Sequence, residues 1–454
     1  MDNFNNLSND RFSYFEIKIM VSENIFKRKK ILIYGLGKSG LSSYKFLKKN
    51  NDLLLYDDNK KNFPKKKLIK SKSILNTKFD FIVISPGIDI NKCSISNFLK
   101  KNLQKIVTDL DIFYSYYLDN KNIAITGTNG KSTTAKLLYK ILKDQKKDVR
   151  LTGNIGNPIL SEKNITKKTI FIIEVSSYQI EYSQKFRTNY GLILNISPDH
   201  LERHGTIPNY VKSKFKLIKN QKKGSYSFFN KKNKYLKKKF KKYKLKSKVI
   251  NVDTNIIKKY LVKITNPYFL TTGNKENLSF IFVVSKYLNL NNQGLIKSIN
   301  DFKGLKFRQQ MVYRSKKISL INDSKATSFS SSINVLKSLK KVYWIIGGIP
   351  KKNDQFSLTK RECLDFKGYI FGKYRNYFHK HLKEKINCQR FISLSDVLKR
   401  IILDLKIEKS QDHKTILFSP SGASFDRYKN FEDRGNKFNI LVKKLKIISI
   451  LNAQ

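Results

Sequence analysis

One segment constrains this chain more than any other: NIAITGTNGKSTTAKLL, residues 122–138. A β-prone apolar run enters, Gly127 and Gly130 bend a short loop, and a helical pattern leaves. Such a loop aims consecutive backbone N–H groups and the positive end of a helix dipole at one place, which suits nucleotide phosphates. Lys131 is placed to neutralise β- and γ-phosphates, and Ser132 to reach Mg²⁺. Gly127, Thr128, Asn129, Gly130, Lys131, Ser132 and Thr133 are therefore candidate nucleotide contacts. The strict GxxxxGK[ST] pattern is not met, because Ile125 stands where its first glycine belongs.

Strand and helix patterns alternate on both sides of this loop. KKILIYG, NDLLLYDD and FDFIVISPG precede it; TIFIIEV, YGLILNIS and SYSFFN follow, and KISLIND, VYWIIGG, GYIFG and KTILFSPS form a third series. Such alternation predicts an α/β fold with parallel sheets. The 454 residues suggest about three domains. The first strand runs into GLGKSG, where Gly35, Gly37 and Gly40 allow a tight turn and close approach to a phosphate, with Ser39 beside them. Asp57 ends the next strand, where an acidic residue meets a ribose or base, and Ser85 opens the turn after the third. Only some 90 residues separate this first strand from the phosphate loop, about half of a dinucleotide domain. A half-unit grasping the pyrophosphate of a UDP-sugar fits better than NAD.

Composition removes other classes. The net charge of +58 taken alone suggests nucleic acid. The excess is lysine, however, and it runs through the whole chain, while arginine, the better phosphate and base reader, is scarce. The densest run, from Lys231, reads as a solvated helix or loop face and is the least structured-looking part of the middle region. We therefore expect no specific nucleic-acid partner. No stretch approaches the roughly 20 apolar residues of a membrane span. The N-terminus lacks a secretory pattern, so a cytoplasmic protein is expected. Met20 is a plausible alternative start, which would leave residues 1–19 as a disordered extension. Cys93, Cys363 and Cys388 form neither a disulfide framework nor a CxxC site.

With TGTNGKST as its core, the chain resembles the Mur ligase family from about residue 30 to its end. Further motifs recur in order: GNIG with Asn154, EVSSYQIE, LNISPDHLERH, YVKSKFKLIKN, GLKFRQQ, NDSKATS, GGIPKK and SPSGASFDRYKNFEDRG. The resemblance implies three domains: a Rossmann-like N-terminal domain for UDP (1–109, with the extension), a central P-loop-type ATPase domain with a parallel sheet (110–304), and a Rossmann-like C-terminal domain for the amino acid (305–454). It implies that Glu174 and His200 bind Mg²⁺ with Ser132, with two ions in all. Lys214, flanked by Lys212 and Lys216, is the lysine modified to a carbamate, an anion able to hold a hard cation. Ser176 and Gln179 line the sugar-peptide site, and Arg308 and Asp323 serve ATP. Asp-Ser-Lys-Ala-Thr marks the member that adds D-glutamate, with Lys325, Thr327, Lys351 (or Lys352), Ser424 and Phe431 forming the amino-acid pocket. Two lysines and a hydroxyl make a credible dicarboxylate receptor. His204 is read as structural, and HLERH lacks the HExxH pattern of zinc sites.

Three positions depart from the family pattern: Phe307 where a histidine usually precedes the arginine, Ser328 for Asn, and PSGAS for PACAS. The implied reaction joins D-glutamate to UDP-N-acetylmuramoyl-L-alanine through an acyl phosphate. Lys131, Glu174, His200, Lys214 and Lys325 carry the chemistry, ATP and Mg²⁺ assist, and a monomer is expected. The rival readings are a sister ligase adding another amino acid, a basic nucleic-acid-binding ATPase, and a non-catalytic UDP-sugar-binding protein.

Overall fold

The computed structural model describes residues 24–59, 68–269, 271–352, 354–408, 410 and 412–452; the expected extension 1–19 lies outside the described residues. Three sheets follow one another along the chain. The first contains β1 (Lys30–Tyr34), β2 (Asp52–Tyr56), β3 (Phe81–Ile84) and β4 (Ile106–Val107) in the order β2-β1-β3-β4, all parallel. The second contains β5 (Asn122–Thr126), β6 (Val149–Gly153), β7 (Ile170–Glu174), β8 (Tyr190–Ile193), β9 (Tyr226–Phe229) and β10 (Lys248–Asn251). Their order is β10-β9-β8-β5-β7-β6, again all parallel. In the third are β11 (Gln310–Arg314), β12 (Ile318–Asn322), β13 (Val342–Gly347), β14 (Phe366–Phe371), β15 (Asn387–Phe391) and β16 (Lys414–Ser421). They run β11-β12-β16-β13-β14-β15, and only β11 is antiparallel to its neighbour.

The expected α/β fold is therefore present, and its central strands are buried because helices cover both sheet faces, whereas edge strands such as β10 and β15 are partly exposed. Side chains alternate across the central sheet as the pleat requires. Ile123, Ile125, Ile172 and Leu192 enter one core, whereas Ala124, Phe171 and Ile173 enter another. That second core continues into the first sheet through Ile31, Ile33, Leu53 and Val83. The third sheet keeps two cores of its own.

Strand order positions the sites. In each sheet the order in which strands are added reverses at an internal strand, and ligands of open α/β sheets bind outside the carboxyl ends at such reversals. The GLGKSG and Ser85 turns leave the adjacent β1 and β3, and the phosphate loop leaves β5 between β7 and β8. The NDSK, GGIPKK and SPSGAS loops leave β12, β13 and β16, which are neighbours in the third sheet.

The lysine-rich tract corrects the sequence reading in part. Residues Lys234–Lys242 form a helix whose N-cap, Asn233, accepts from the backbone N–H groups of Tyr235 and Leu236. Leu236 is fully buried and Tyr235 packs against the same core, so apolar side chains anchor this basic helix. Cys93, Cys363 and Cys388 are unpaired, and among the described residues no helix is long and apolar enough to cross a membrane.

Candidate active site

The phosphate loop is held from outside by two residues that follow β8. Asn195 accepts the N–H of Asn129 at 2.9 Å and donates back to the Asn129 carbonyl at 3.2 Å; its own carbonyl accepts the N–H of Thr128. Thr128 Oγ1 donates to the Ser197 carbonyl at 3.1 Å. Gly130, at φ 84°, begins the helix Lys131–Asp144, and a Cβ there would lie 2.0 Å from Asn277 Oδ1. Glycine is thus required both by the left-handed backbone and by this close approach. Lys131 Nζ donates to the carbonyls of Gly127 and Thr128, each at 2.8 Å, so it curls over its own loop. Ser132 and Thr133 are buried at the start of the helix.

Three further elements converge here. Glu174, at the end of β7, is 1% exposed; Oε1 accepts from Asn154 Nδ2 at 3.1 Å, and Oε2 has no partner. The GNIG turn packs so tightly on this strand that a Cβ at Gly153 would lie 2.3 Å from the Glu174 carbonyl. His200 sits in the left-handed region at φ 55°, with Nδ1 2.8 Å from Tyr178 Oη and Nε2 3.4 Å from Asp199 Oδ2. Burial lowers its pKa, which favours the neutral ring. Lys214 is buried on the helix Ile207–Lys219 and donates to the Gly127 carbonyl at 2.9 Å. Its pKa is driven well down by burial and by Lys131 nearby. Lys212 is exposed and Lys216 donates to the Glu181 carbonyl, so helix periodicity singles out Lys214 of the three.

A cleft between the second and third sheets joins the phosphate loop to the third series of motifs. Asn129, Gly130 and Ser132 line it on one side; Arg308, Asp323 and Lys325 line the other. Asp323 accepts from the Gln309 N–H and from Ser419 Oγ, both at 3.0 Å, and burial lifts its pKa to about 7. Lys325 Nζ lies 4.1 Å from the centre of the Phe431 ring, and Arg308 lies 5.9 Å from it. Burial first, and Arg308 second, lower Lys325 to about 8. Ser424 is 2% exposed and Thr327 is half-buried in the same loops. Lys351 reaches across the cleft to pair with Asp199, while Lys352 is exposed.

Some expected substrate groups have protein partners. Asp57 accepts from the Leu36 N–H at 2.6 Å and from the Asn59 N–H at 2.9 Å, and so braces the glycine turn. It still lines the first-sheet pocket with Gly35, Gly37, Ser39 and Ser85. A Cβ at Gly40 would lie 1.9 Å from the Gly35 carbonyl. Ser176 and Gln179 form a reciprocal cap on the helix Ser177–Tyr182. His204 is buried, 3.0 Å from Ser177 Oγ, in keeping with a structural part. Phe307 is buried against Gly435, where a Cβ would lie 2.3 Å from the ring, and its carbonyl accepts the Lys325 N–H at 3.0 Å. Ser328 caps the helix Phe329–Leu336, as Asn also could.

Sequence reasoning missed Asn274, Glu276 and Asn277, which line the nucleotide-loop cleft from the helix Thr272–Tyr287. Their polar run before an apolar helix was the available signal. Asp58 was also missed: it faces the first-sheet pocket and accepts from Tyr34, Tyr56 and Ser94 hydroxyls.

The model of the Mur ligase middle domain matches residues 125–284. A UDP-N-acetylmuramoylalanine–D-glutamate ligase of Rickettsia prowazekii is 32% identical over 445 residues, covering 93% of this chain and 99% of that protein. The chain belongs to the Mur ligase family. A Francisella philomiragia protein of the same description is 32% identical over 429 residues, covering 92% and 98%. Among solved structures, this Mur ligase shares its fold with a MurF ligase of Thermotoga maritima in complex with ADP (TM-score 0.53, 15% identity, covering 92% and 99%). A UDP-N-acetylmuramate–alanine ligase of the same organism superposes with TM-score 0.52 at 13% identity, covering 92% and 99%.

Proposed function

We propose that this Mur ligase joins D-glutamate to UDP-N-acetylmuramoyl-L-alanine at the expense of ATP, releasing ADP and phosphate. The observation that carries the reading is the meeting of the Lys131 loop and the Lys325 loop in one cleft. Residues to about 109 hold the UDP moiety with Gly35, Gly37, Ser39, Gly40, Asp57 and Ser85. Residues 110–304 hold ATP, and residues 305–454 bring the amino acid to Lys325, Thr327, Lys351, Ser424 and Phe431. Asn154, Ser176 and Gln179 border the sugar-peptide between them. We expect a monomer acting in the cytoplasm.

Two anions must approach for phosphoryl transfer, the γ-phosphate and the substrate carboxylate. Lys131 turns from its loop carbonyls to the phosphates, and Arg308 adds a second cation from across the cleft. Mg²⁺, when bound, offsets the remaining phosphate charge. The unpartnered buried Oε2 of Glu174 and the neutral ring of His200 suit such an ion, with the Ser132 hydroxyl beside them. An unmodified Lys214 donates hydrogen bonds and is no ligand; its depressed pKa leaves a free amine able to take up CO₂ as a carbamate. The acyl phosphate formed on the substrate is then attacked by the D-glutamate amine, and the tetrahedral intermediate expels phosphate. Lys325 and Lys351 orient the two carboxylates, and Phe431 walls the pocket.

The test is phosphate release from ATP and Mg²⁺ with UDP-N-acetylmuramoyl-L-alanine, comparing D-glutamate, L-glutamate, L-alanine and diamino acids. Turnover with D-glutamate alone is expected. Turnover with another amino acid would move the chain to a sister ligase, and none at all would favour a UDP-sugar-binding protein.

A further inference from the structure

Arg434 is fully buried on the helix Phe431–Lys444, yet each of its hydrogen bonds goes to a neutral oxygen. Nε donates to Ser324 Oγ at 3.1 Å, Nη2 to the Ser324 carbonyl at 2.7 Å, and Nη1 to the Gly422 carbonyl at 2.9 Å. A buried guanidinium satisfied only by neutral acceptors is costly. The acidic groups whose charge reaches it, Asp426 and Asp323, are themselves buried enough that their pKa values are raised. Among the described residues no carboxylate pairs with it directly, so the guanidinium is held by hydrogen bonds to neutral oxygens.

What the side chain touches gives that cost a use. Ser324 precedes Lys325, and Gly422 lies two residues before Ser424. Ser324 Oγ, which accepts from Arg434, donates onward to the Phe431 carbonyl at 2.9 Å. A Cβ at Gly348 would lie 2.7 Å from Arg434 Nη1, so the loop that carries Lys351 also rests against the guanidinium. That loop is stitched to the next by Ile349 and Ala423, whose N–H groups and carbonyls pair at 2.7 and 2.8 Å. One planar fork thus meets three other chain segments, which bear Lys325, Lys351 and Ser424, and through Ser324 it is tied to Phe431 at the start of its own helix. A rigid fork with five donors can do this, whereas an ammonium cannot span the same acceptors.

We propose that Arg434 is a positioning residue for the amino-acid substrate: it fixes Lys325, Lys351, Ser424 and Phe431 in one arrangement and lays a fixed positive charge beneath the dicarboxylate without touching it. This rests on the proposed ligase reading for the identity of the amino acid, though not for the pocket itself.

The experiment is steady-state kinetics of Arg434→Lys and Arg434→Ala beside the unaltered enzyme, with KM measured separately for ATP, the UDP-linked substrate and the amino acid. The amino-acid KM is expected to rise about 10- to 100-fold in Arg434→Ala, the loss of one or two charge-assisted hydrogen bonds. The KM of the UDP-linked substrate should stay within about twofold, since that site lies on the first domain, and the ATP KM should change less than that of the amino acid, since only Arg308 and Asp323 reach ATP from this domain. Arg434→Lys should fall between, and added guanidinium ion should lower the amino-acid KM of Arg434→Ala alone. Equal changes in all three KM values, a loss confined to kcat, or an unchanged amino-acid KM would overturn the proposal. Should Arg434→Ala not fold, Arg434→Lys carries the same comparison. Failure of the D-glutamate reading would be visible in the unaltered enzyme; the same KM split would then be measured with whichever amino acid it uses.

Discussion

Between the first and second sheets, apolar side chains run without a break: Ile31, Ile33 and Val83 share one core with Phe171, Ile173 and Val175. Asp111 fastens the same junction. It is fully buried and accepts five hydrogen bonds, from Thr108 N and Oγ1, Ser183 Oγ, and the N–H groups of Lys185 and Phe186. Among the described residues no apolar core spans the second and third sheets, and polar contacts join them. Thr271 Oγ1 donates to Gln309 at 2.8 Å, the Thr272 N–H to Ser338 Oγ at 2.7 Å, and Lys351 pairs with Asp199. The first junction is part of a folded unit, whereas the second is a contact between finished units. A cleft that must admit ATP on one wall and an amino acid on the other needs the second kind, because polar contacts are exchangeable with ligands and solvent at little net cost.

Asp111→Ala is the strongest way to break this contrast. Losing a buried carboxylate that serves five donors should destabilise the chain by about 3–5 kcal/mol, read by calorimetry or denaturant titration. An unchanged melting curve would mean that the shared core alone carries the junction. At the other junction, Lys351→Ala should alter stability by less than about 1 kcal/mol, since the ion pair is partly exposed. The same variant should raise the amino-acid KM about tenfold or more. A stability loss like that of Asp111→Ala would erase the distinction between the two. The smallest expected effect is on pH. On the proposed reading Lys325 holds a substrate carboxylate as its ammonium form, and burial lowers its pKa to about 8, so amino-acid affinity should be full below that pH and fall as pH rises through it. The amino-acid KM should climb up to about tenfold per pH unit above 8, and Lys325→Arg should flatten the profile without moving the melting temperature. A KM independent of pH to 9.5 would remove Lys325 from the pocket.

The phosphate loop, Gly35 and Gly40 were legible because local chemistry encodes them: a tight turn into a helix has few sequences that fit. Lys214 was legible as one of three lysines, and only the helix phase separates it from Lys212 and Lys216. Other features depend on partners distant in the chain and leave little local trace. Arg434 reads as one charge in EDRGNK until β12 and β16 bring Ser324 and Gly422 beneath it. Asp57 illustrates a competing demand, since a carboxylate at a strand end can face a ribose or satisfy the backbone of the neighbouring turn, and here it binds the Leu36 N–H. The lysine tract could be read as a helix or a loop face, and what seats its helix, the buried Leu236 and the capping Asn233, is a small part of an otherwise basic run.

The continuous core also has a bearing on how the chain is made. When the ribosome has finished β4, the apolar face formed by Ile31, Ile33 and Val83 still lacks the side chains of Phe171, Ile173 and Val175 that will cover it. At roughly 5–20 residues per second, several seconds pass before β7 leaves the exit tunnel. For that interval the nascent N-terminal sheet displays a greasy, half-finished surface, and it is completed by the very strand that carries Glu174 into the active site.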